Sequence, residues 1–231
     1  MWGLSRIVIL VFLFCSEASA QLVVTEAATS AEVEQYVEDV LLGACVTVSN
    51  FSYTGQAWGS GTFNGSASNI GMNSGIIMTT GRASYAVGPD NVNDRSHNQS
   101  NVGDADLDQL LNFGFTTEDA VILEFDFIPQ DDTLRFNYIF GSEEYPEYVN
   151  SGFNDVFGFF ISGPGYAGPF SNGAENIALI PGTTTPVAIN NVNNGYSATE
   201  PAPGPGTNSA YYVENGGGAT VQYDGFTTVL N

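Results

Sequence analysis

The spacing of apolar residues divides the chain into a leading apolar run, one segment with a helical period, and a long remainder of short alternating runs punctuated by glycine. From Thr29, the sequence Thr-Ser-Ala-Glu32 has the form of a capping box, in which the hydroxyl and the carboxylate satisfy free backbone amides. Val33, Tyr36, Val37, Val40 and Leu41 follow at helical spacing and Gly43 supplies a stop, which predicts a helix. A second short helix is predicted over 106–112, where Leu107, Leu110 and Leu111 share a face.

The remainder reads as strand and turn. Residues 75–81 form a short apolar run between glycines. Val121, Leu123, Phe125 and Phe127 alternate with Ile122, Glu124, Asp126 and Ile128, and residues 129–132 read as a turn. Leu134, Phe136, Tyr138 and Phe140 then alternate with Thr133, Arg135, Asn137 and Ile139. This predicts a β-hairpin with one apolar face, in whose register Asp126 lies opposite Arg135. Further strands are predicted over 155–162, 176–180, 187–192, 211–214 and 220–230, and the proline-rich stretch 199–206 reads as an exposed loop. The expected fold is mostly β: one β-sandwich or jelly-roll-like domain over 21–231, with a short N-terminal helix and a second short helix.

Residues 1–20 change where this domain is expected to work. One positive charge at Arg6, an apolar run over 7–14 and the small-x-small ending Ala18-Ser19-Ala20 are the parts of a secretory signal peptide, cleaved before Gln21. The expected location is secreted or cell-surface. Cys15 would leave with this segment, so Cys45 is expected to find a disulfide partner only beyond Asn231. The chain breaks off at Thr227-Thr-Val-Leu-Asn231 in strand-like sequence, which reads as an incomplete C-terminus.

Charge removes two partner classes. The formal net charge is −21, there is no lysine, and the only cations after residue 20 are Arg82, Arg95 and Arg135. Such a chain repels nucleic-acid phosphates and anionic membrane surfaces.

Several segments carry a resemblance, in order along the chain. They are Leu42-Gly-Ala-Cys-Val-Thr-Val-Ser-Asn50, Gly61-Thr-Phe, Ile70-Gly-Met-Asn-Ser-Gly-Ile-Ile-Met-Thr-Thr-Gly81 and Gly103-Asp-Ala-Asp-Leu. They continue with Ala120-Val-Ile-Leu-Glu-Phe-Asp-Phe-Ile-Pro129, Phe140-Gly-Ser-Glu-Glu-Tyr-Pro-Glu-Tyr-Val149 and Phe153-Asn-Asp-Val-Phe-Gly-Phe-Phe-Ile-Ser-Gly-Pro-Gly165. Together these resemble the choice-of-anchor L domain of bacterial surface proteins. The resemblance implies the N-terminal part of a long exported protein whose C-terminus carries one of several anchoring signals. It brings no catalytic residues with it.

The candidate chemistry is that of carboxylates. His97, the only histidine, lies in a polar loop, and no nucleophile elbow accompanies it. One His and one Cys after residue 20 do not make a zinc shell. Glu124-Phe-Asp126 puts two acids on one strand face, as a glycoside hydrolase would, but Ile128 stands where a third acid belongs. Calcium, which takes six to eight oxygen ligands, suits the acids better. Glu143, Glu144 and Glu147 with Asn154 and Asp155 form the first candidate site, and Asp104, Asp106 and Asp108 a weaker one. The latter acids would equally favour the N-terminus of the helix that follows. The expected function is therefore non-catalytic: an exported surface module for adhesion or for binding an extracellular glycan or protein, stabilised by calcium. The alternatives are a carbohydrate-active enzyme with paired carboxylates and a purely structural surface or matrix component.

Overall fold

The computed structural model describes residues 21–42, 46–111, 116–129, 132–195 and 206–231. The expected signal peptide, Gly43, Cys45, Asn112 and most of the proline-rich loop lie outside the described residues.

Helix α1 (Ser30–Tyr36) starts as its sequence dictates. The Thr29 hydroxyl accepts from Glu32 N at 3.3 Å, and the Glu32 carboxylate accepts from Ala28 N at 2.8 Å, one residue earlier than in the usual box. Val33 and Val37 are buried. The helix then widens to a π-helical turn over Val37–Leu42, and the longer turn carries Val40 out of the apolar stripe into solvent. Helix α2 (Ala105–Leu111) is the second predicted helix.

Among the described residues the strands build five small antiparallel sheets. β1 (Val23–Glu26), β3 (Ser60–Asn64) and β4 (Ser74–Met78) form one, in the order β1-β3-β4. β2 (Thr47–Thr54) pairs with β5 (Ile122–Ile128), and β7 (Val156–Phe157) with β10 (Val187–Ala188). β8 (Phe160–Ile161) pairs with β9 (Glu175–Asn176). The last sheet has the order β11-β12-β6, from β11 (Tyr212–Glu214), β12 (Gly225–Thr227) and β6 (Gly141–Ser142). The chain is mostly β, as expected; these pairings do not in themselves stack two sheets into a sandwich.

The predicted hairpin is corrected. β5 keeps its alternation, with Phe125 and Phe127 part-buried and Glu124, Asp126 and Ile128 exposed, but its partner is β2. Asp126 stands opposite Ser49, and Asn50 Nδ2 donates to Asp126 Oδ2 at 2.6 Å, so the expected Asp126–Arg135 pair does not form. One extra residue between Ser49 and Ser52 makes a β-bulge, with Asn50 at φ 53°. The second predicted strand also alternates, with Leu134 and Phe136 part-buried between exposed neighbours. Its far end runs along the C-terminal segment instead: Tyr138 and Leu230 exchange two backbone hydrogen bonds, at 3.0 and 2.9 Å, and Gly141 and Ser142 pair with Phe226 and Gly225. A two-residue period settles which face a strand buries, not which strand it pairs with.

Among the described residues three apolar clusters form the core. Leu22, Ile70, Ala86, Val221 and Phe226 make the first, Ile180, Val187, Val192 and Leu230 the second, and Tyr145, Val149 and Ile189 the third. Phe140 and Tyr212 pack against the second and the third. Leu22 N also donates to Thr220 O at 2.9 Å, which ties the first described residues to the segment leading into β12.

Candidate functional site

Strand β6 delivers the first group of acids. The pairing ends at Ser142–Gly225, and Glu143 and Asp224 are the residues that flank it. Two glycines let aromatic rings close over this pair of strands. A Cβ on Gly225 would stand 2.5 Å from the Tyr212 hydroxyl, and one on Gly141 would stand 2.8 Å from the Tyr223 ring. Asp224 is only 6% exposed, yet its Oδ2 has no hydrogen-bond partner, and neither does the buried Oε1 of Glu143. Gln222, fully buried two residues before Asp224, sits among the acids. Its Nε2 donates to Val92 O at 2.8 Å, and more weakly to Asp90 Oδ1 at 3.4 Å and Glu143 Oε2 at 3.5 Å. Asp90 Oδ2 accepts from Gly217 N at 2.6 Å.

The electrostatics follow from that crowding. Burial, then the charges of Asp90, Glu143 and Glu147, pushes the Asp224 carboxyl well above the usual carboxylate range. Burial raises Glu143 to about 7, against hydrogen bonds from Gln222 and the Arg95 backbone. Glu144 is raised to about 7 by burial and then by Asp155 and Glu147. Solvent reaches Asp155, yet protein rings its carboxyl. That crowding raises its pKa, while the hydrogen bond from the Ser142 hydroxyl to Asp155 Oδ2, 2.7 Å, opposes the rise. The acids thus form one basin with two lobes, Glu144 and Asp155 on one side and Glu143, Asp224 and Asp90 on the other; Glu147 is felt by both.

Of the first candidate site, the structure therefore associates Glu143, Glu144, Glu147 and Asp155. Asn154 Oδ1 instead accepts from Asn190 N at 2.9 Å and anchors the loop. Among the described residues, no three His, Cys, Asp or Glu side chains stand grouped to hold a metal ion by themselves. At the weaker candidate, each acid has a separate task. Asp104 Oδ1 accepts from Asp106 N and Leu107 N at 2.9 and 3.0 Å and caps α2. Asp106 accepts from Ser171 N, and Asp108 Oδ1 accepts from Thr117 N and Oγ1 at 2.5 and 2.7 Å, which lowers its pKa. Of the three acids only Asp104 caps α2; Asp106 and Asp108 tie the helix to Ser171 and Thr117.

Sequence reading missed Asp90, Gln222 and Asp224. The usable signal was that Gln222, Asp224 and Phe226 recur every second residue, which puts two polar groups on the face of a core phenylalanine.

A second feature lies on the far side of Arg95. Its guanidinium stands 4.8 Å from the Tyr85 ring centre, and that of Arg82 stands 5.2 Å from Trp58. His97, exposed, meets Trp58 edge-on at 4.8 Å and Tyr85 at 6.1 Å. Arg82 also makes a two-armed ion pair with Glu26. His97 therefore belongs to an aromatic patch and is not simply a solvated loop residue.

No helix among the described residues is long and apolar enough to cross a membrane. Comparison with curated proteins and with solved structures gave no match. Comparison with protein families gave the choice-of-anchor L domain over residues 23–231, the span that holds both the acidic basin and the aromatic patch. The chain belongs to the choice-of-anchor L domain family.

Proposed function

We propose that this chain is a non-catalytic, exported surface module that binds an extracellular glycan or protein and is stabilised by calcium at the basin next to the 142–155 segment. Family membership points to a surface-associated module. The observation that carries the binding reading is the patch of Trp58, Tyr85 and His97 flanked by Arg82 and Arg95. Trp, Tyr and Arg are the residues that concentrate at recognition surfaces, because they offer large, stiff contact area with a polar edge. In a chain of net charge −21, two of the three arginines after residue 20 are placed here. The hydrolase alternative needs two carboxyls facing across a cleft. Glu124 and Asp126 lie on the exposed face of a two-stranded sheet, and Asp126 is engaged by Asn50.

The test is affinity electrophoresis of the chain in gels containing soluble polysaccharides, alongside capture on immobilised extracellular-matrix proteins. Trp58→Ala is expected to weaken binding by ~2 kcal/mol, the scale of an interface hot spot. His97→Ala, at an exposed position, probes the same patch without disturbing the core. Wild-type protein that neither slows in any gel nor is captured would leave the structural-component alternative. Binding untouched by both variants would move the ligand elsewhere.

A further inference from the structure

We propose that the ligand of the Trp58, Tyr85 and His97 patch is a neutral glycan, stacked by its sugar rings on the aromatic side chains, with Arg82 and Arg95 holding those rings in place and not reading charge. The inference rests on the binding reading above and names, within it, the class of ligand.

Neither guanidinium has charge to spare. Arg82 meets the Glu26 carboxylate through both Nε and Nη2. Despite burial, hydrogen bonds from Arg82 and Ser84 hold the Glu26 pKa at about 2, so the pair is neutral as a whole at any working pH. Arg95 lies over Tyr85, its Nη1 donates to Gln222 Oε1 at 3.4 Å, and its charge acts on Glu143. Asp94, exposed, precedes it in the loop. In a chain of net charge −21, an anionic polymer meets repulsion on approach and no uncommitted guanidinium at this patch.

A protein partner fits less well. Stable protein interfaces have an apolar centre from which charge is depleted. Here Trp58 and Tyr85 are part-buried and interleaved with charge, and within residues 91–98 only Val92 is an exposed large hydrophobic. Asn91, Asn93, Ser96 and Asn98 are exposed beside it. The His97 ring stands at 77° to Trp58 and 84° to Tyr85, so the three rings form a corner and not a flat wall. A pyranose suits such a corner: its C–H face packs on an aromatic ring while its hydroxyls exchange hydrogen bonds with amides and hydroxyls at the rim. The corner is also pre-formed, which lowers the ordering cost of binding. Fully buried Gln222 donates to Val92 O at 2.8 Å and pins one end of the loop. At the other end, buried Gln99 donates to Thr79 O and Gly81 O at 2.7 and 3.1 Å, and its Oε1 accepts from Gln56 N at 2.8 Å, two residues before Trp58.

The experiment is affinity electrophoresis of the full chain in gels holding hydroxyethylcellulose, dextran or a mannan, each beside a carboxymethylated or sulfated derivative of the same backbone. Wild-type protein is expected to be slowed by at least one neutral polymer, and less by its anionic derivative. The apparent Kd should change less than about 2-fold from ~0.05 to ~0.5 M sodium chloride, a range that screens ion-paired contacts. Trp58→Ala is expected to weaken binding ~30-fold. His97→Ala, at an exposed position, should weaken it too and keeps the test readable if Trp58→Ala does not fold. Stronger retardation by the anionic derivative, lost in salt, overturns the ligand class and leaves the binding reading standing. Capture on matrix proteins without retardation by any neutral polymer does the same. Retardation by a neutral polymer that survives both substitutions places the glycan elsewhere and overturns the assignment to this patch. If wild-type protein binds neither polysaccharide nor protein, both readings fall.

Discussion

Glu26 and Glu143 are both carboxylates in contact with the core, and they respond to pH in opposite directions. Burial alone would raise Glu26, but hydrogen bonds from Arg82 and Ser84 and the Arg82 charge outweigh it and hold it at about 2. Its contribution is present above the ordinary value of 4.5 and is lost as pH falls toward 2. Glu143 and Glu144, raised to about 7, bind a proton in the folded chain that the unfolded chain releases, so their contribution is lost as pH rises from 4.5 through 7. Without a divalent ion, the melting temperature should therefore peak in mild acid and fall toward pH ~8. Melts in chelator across a pH series check this, and a flat or rising curve over that window contradicts it. At this scale the sequence was half informative. Glu143, Glu144 and Glu147 announced themselves by their density in a segment without a cation. Asp224 and Asp90 did not, because the acids that act on Asp224 come from segments far from it in the chain.

Among the elements, the helix start was legible because capping is local: Thr29 and Glu32 do what their spacing requires. The strands were legible as faces and illegible as pairs. The alternation of β5 was visible, whereas its partner β2 lies far back in the chain and carries a bulge that breaks its period. That bulge gives a test. Asn50 holds a left-handed conformation and donates to Asp126. Asn50→Ala should cost ~2–3 kcal/mol, combining ~1–2 for the backbone and ~1 for the hydrogen bond. Asn50→Gly keeps the backbone freedom and should lose little more than the hydrogen bond, ~1 kcal/mol. Urea unfolding midpoints separate the two; equal losses would mean that the left-handed turn does not set the register.

For the molecule as a whole, distant segments are held by a few buried polar ties as well as by apolar packing. Tyr145 is fully buried between Glu144 and Pro146, and its hydroxyl donates to Val192 O at 2.6 Å. Tyr145→Phe leaves that carbonyl without its donor and should destabilise the fold by ~1–3 kcal/mol, read from denaturant unfolding. A neutral result would mean that water replaces the phenol. Such long-range ties explain why family membership could be read from motifs while the basin could not. The motifs are continuous in sequence, and the basin is assembled only when 90, 143 and 224 meet. The tie between Leu22 and Thr220 has a mechanical consequence. Leu22 packs in the same cluster as Phe226, so the approach to β1 and strand β12 are neighbours. A load applied between the approach to β1 and β12 is therefore borne at that corner, by the Leu22–Thr220 hydrogen bond and the apolar contacts beside it.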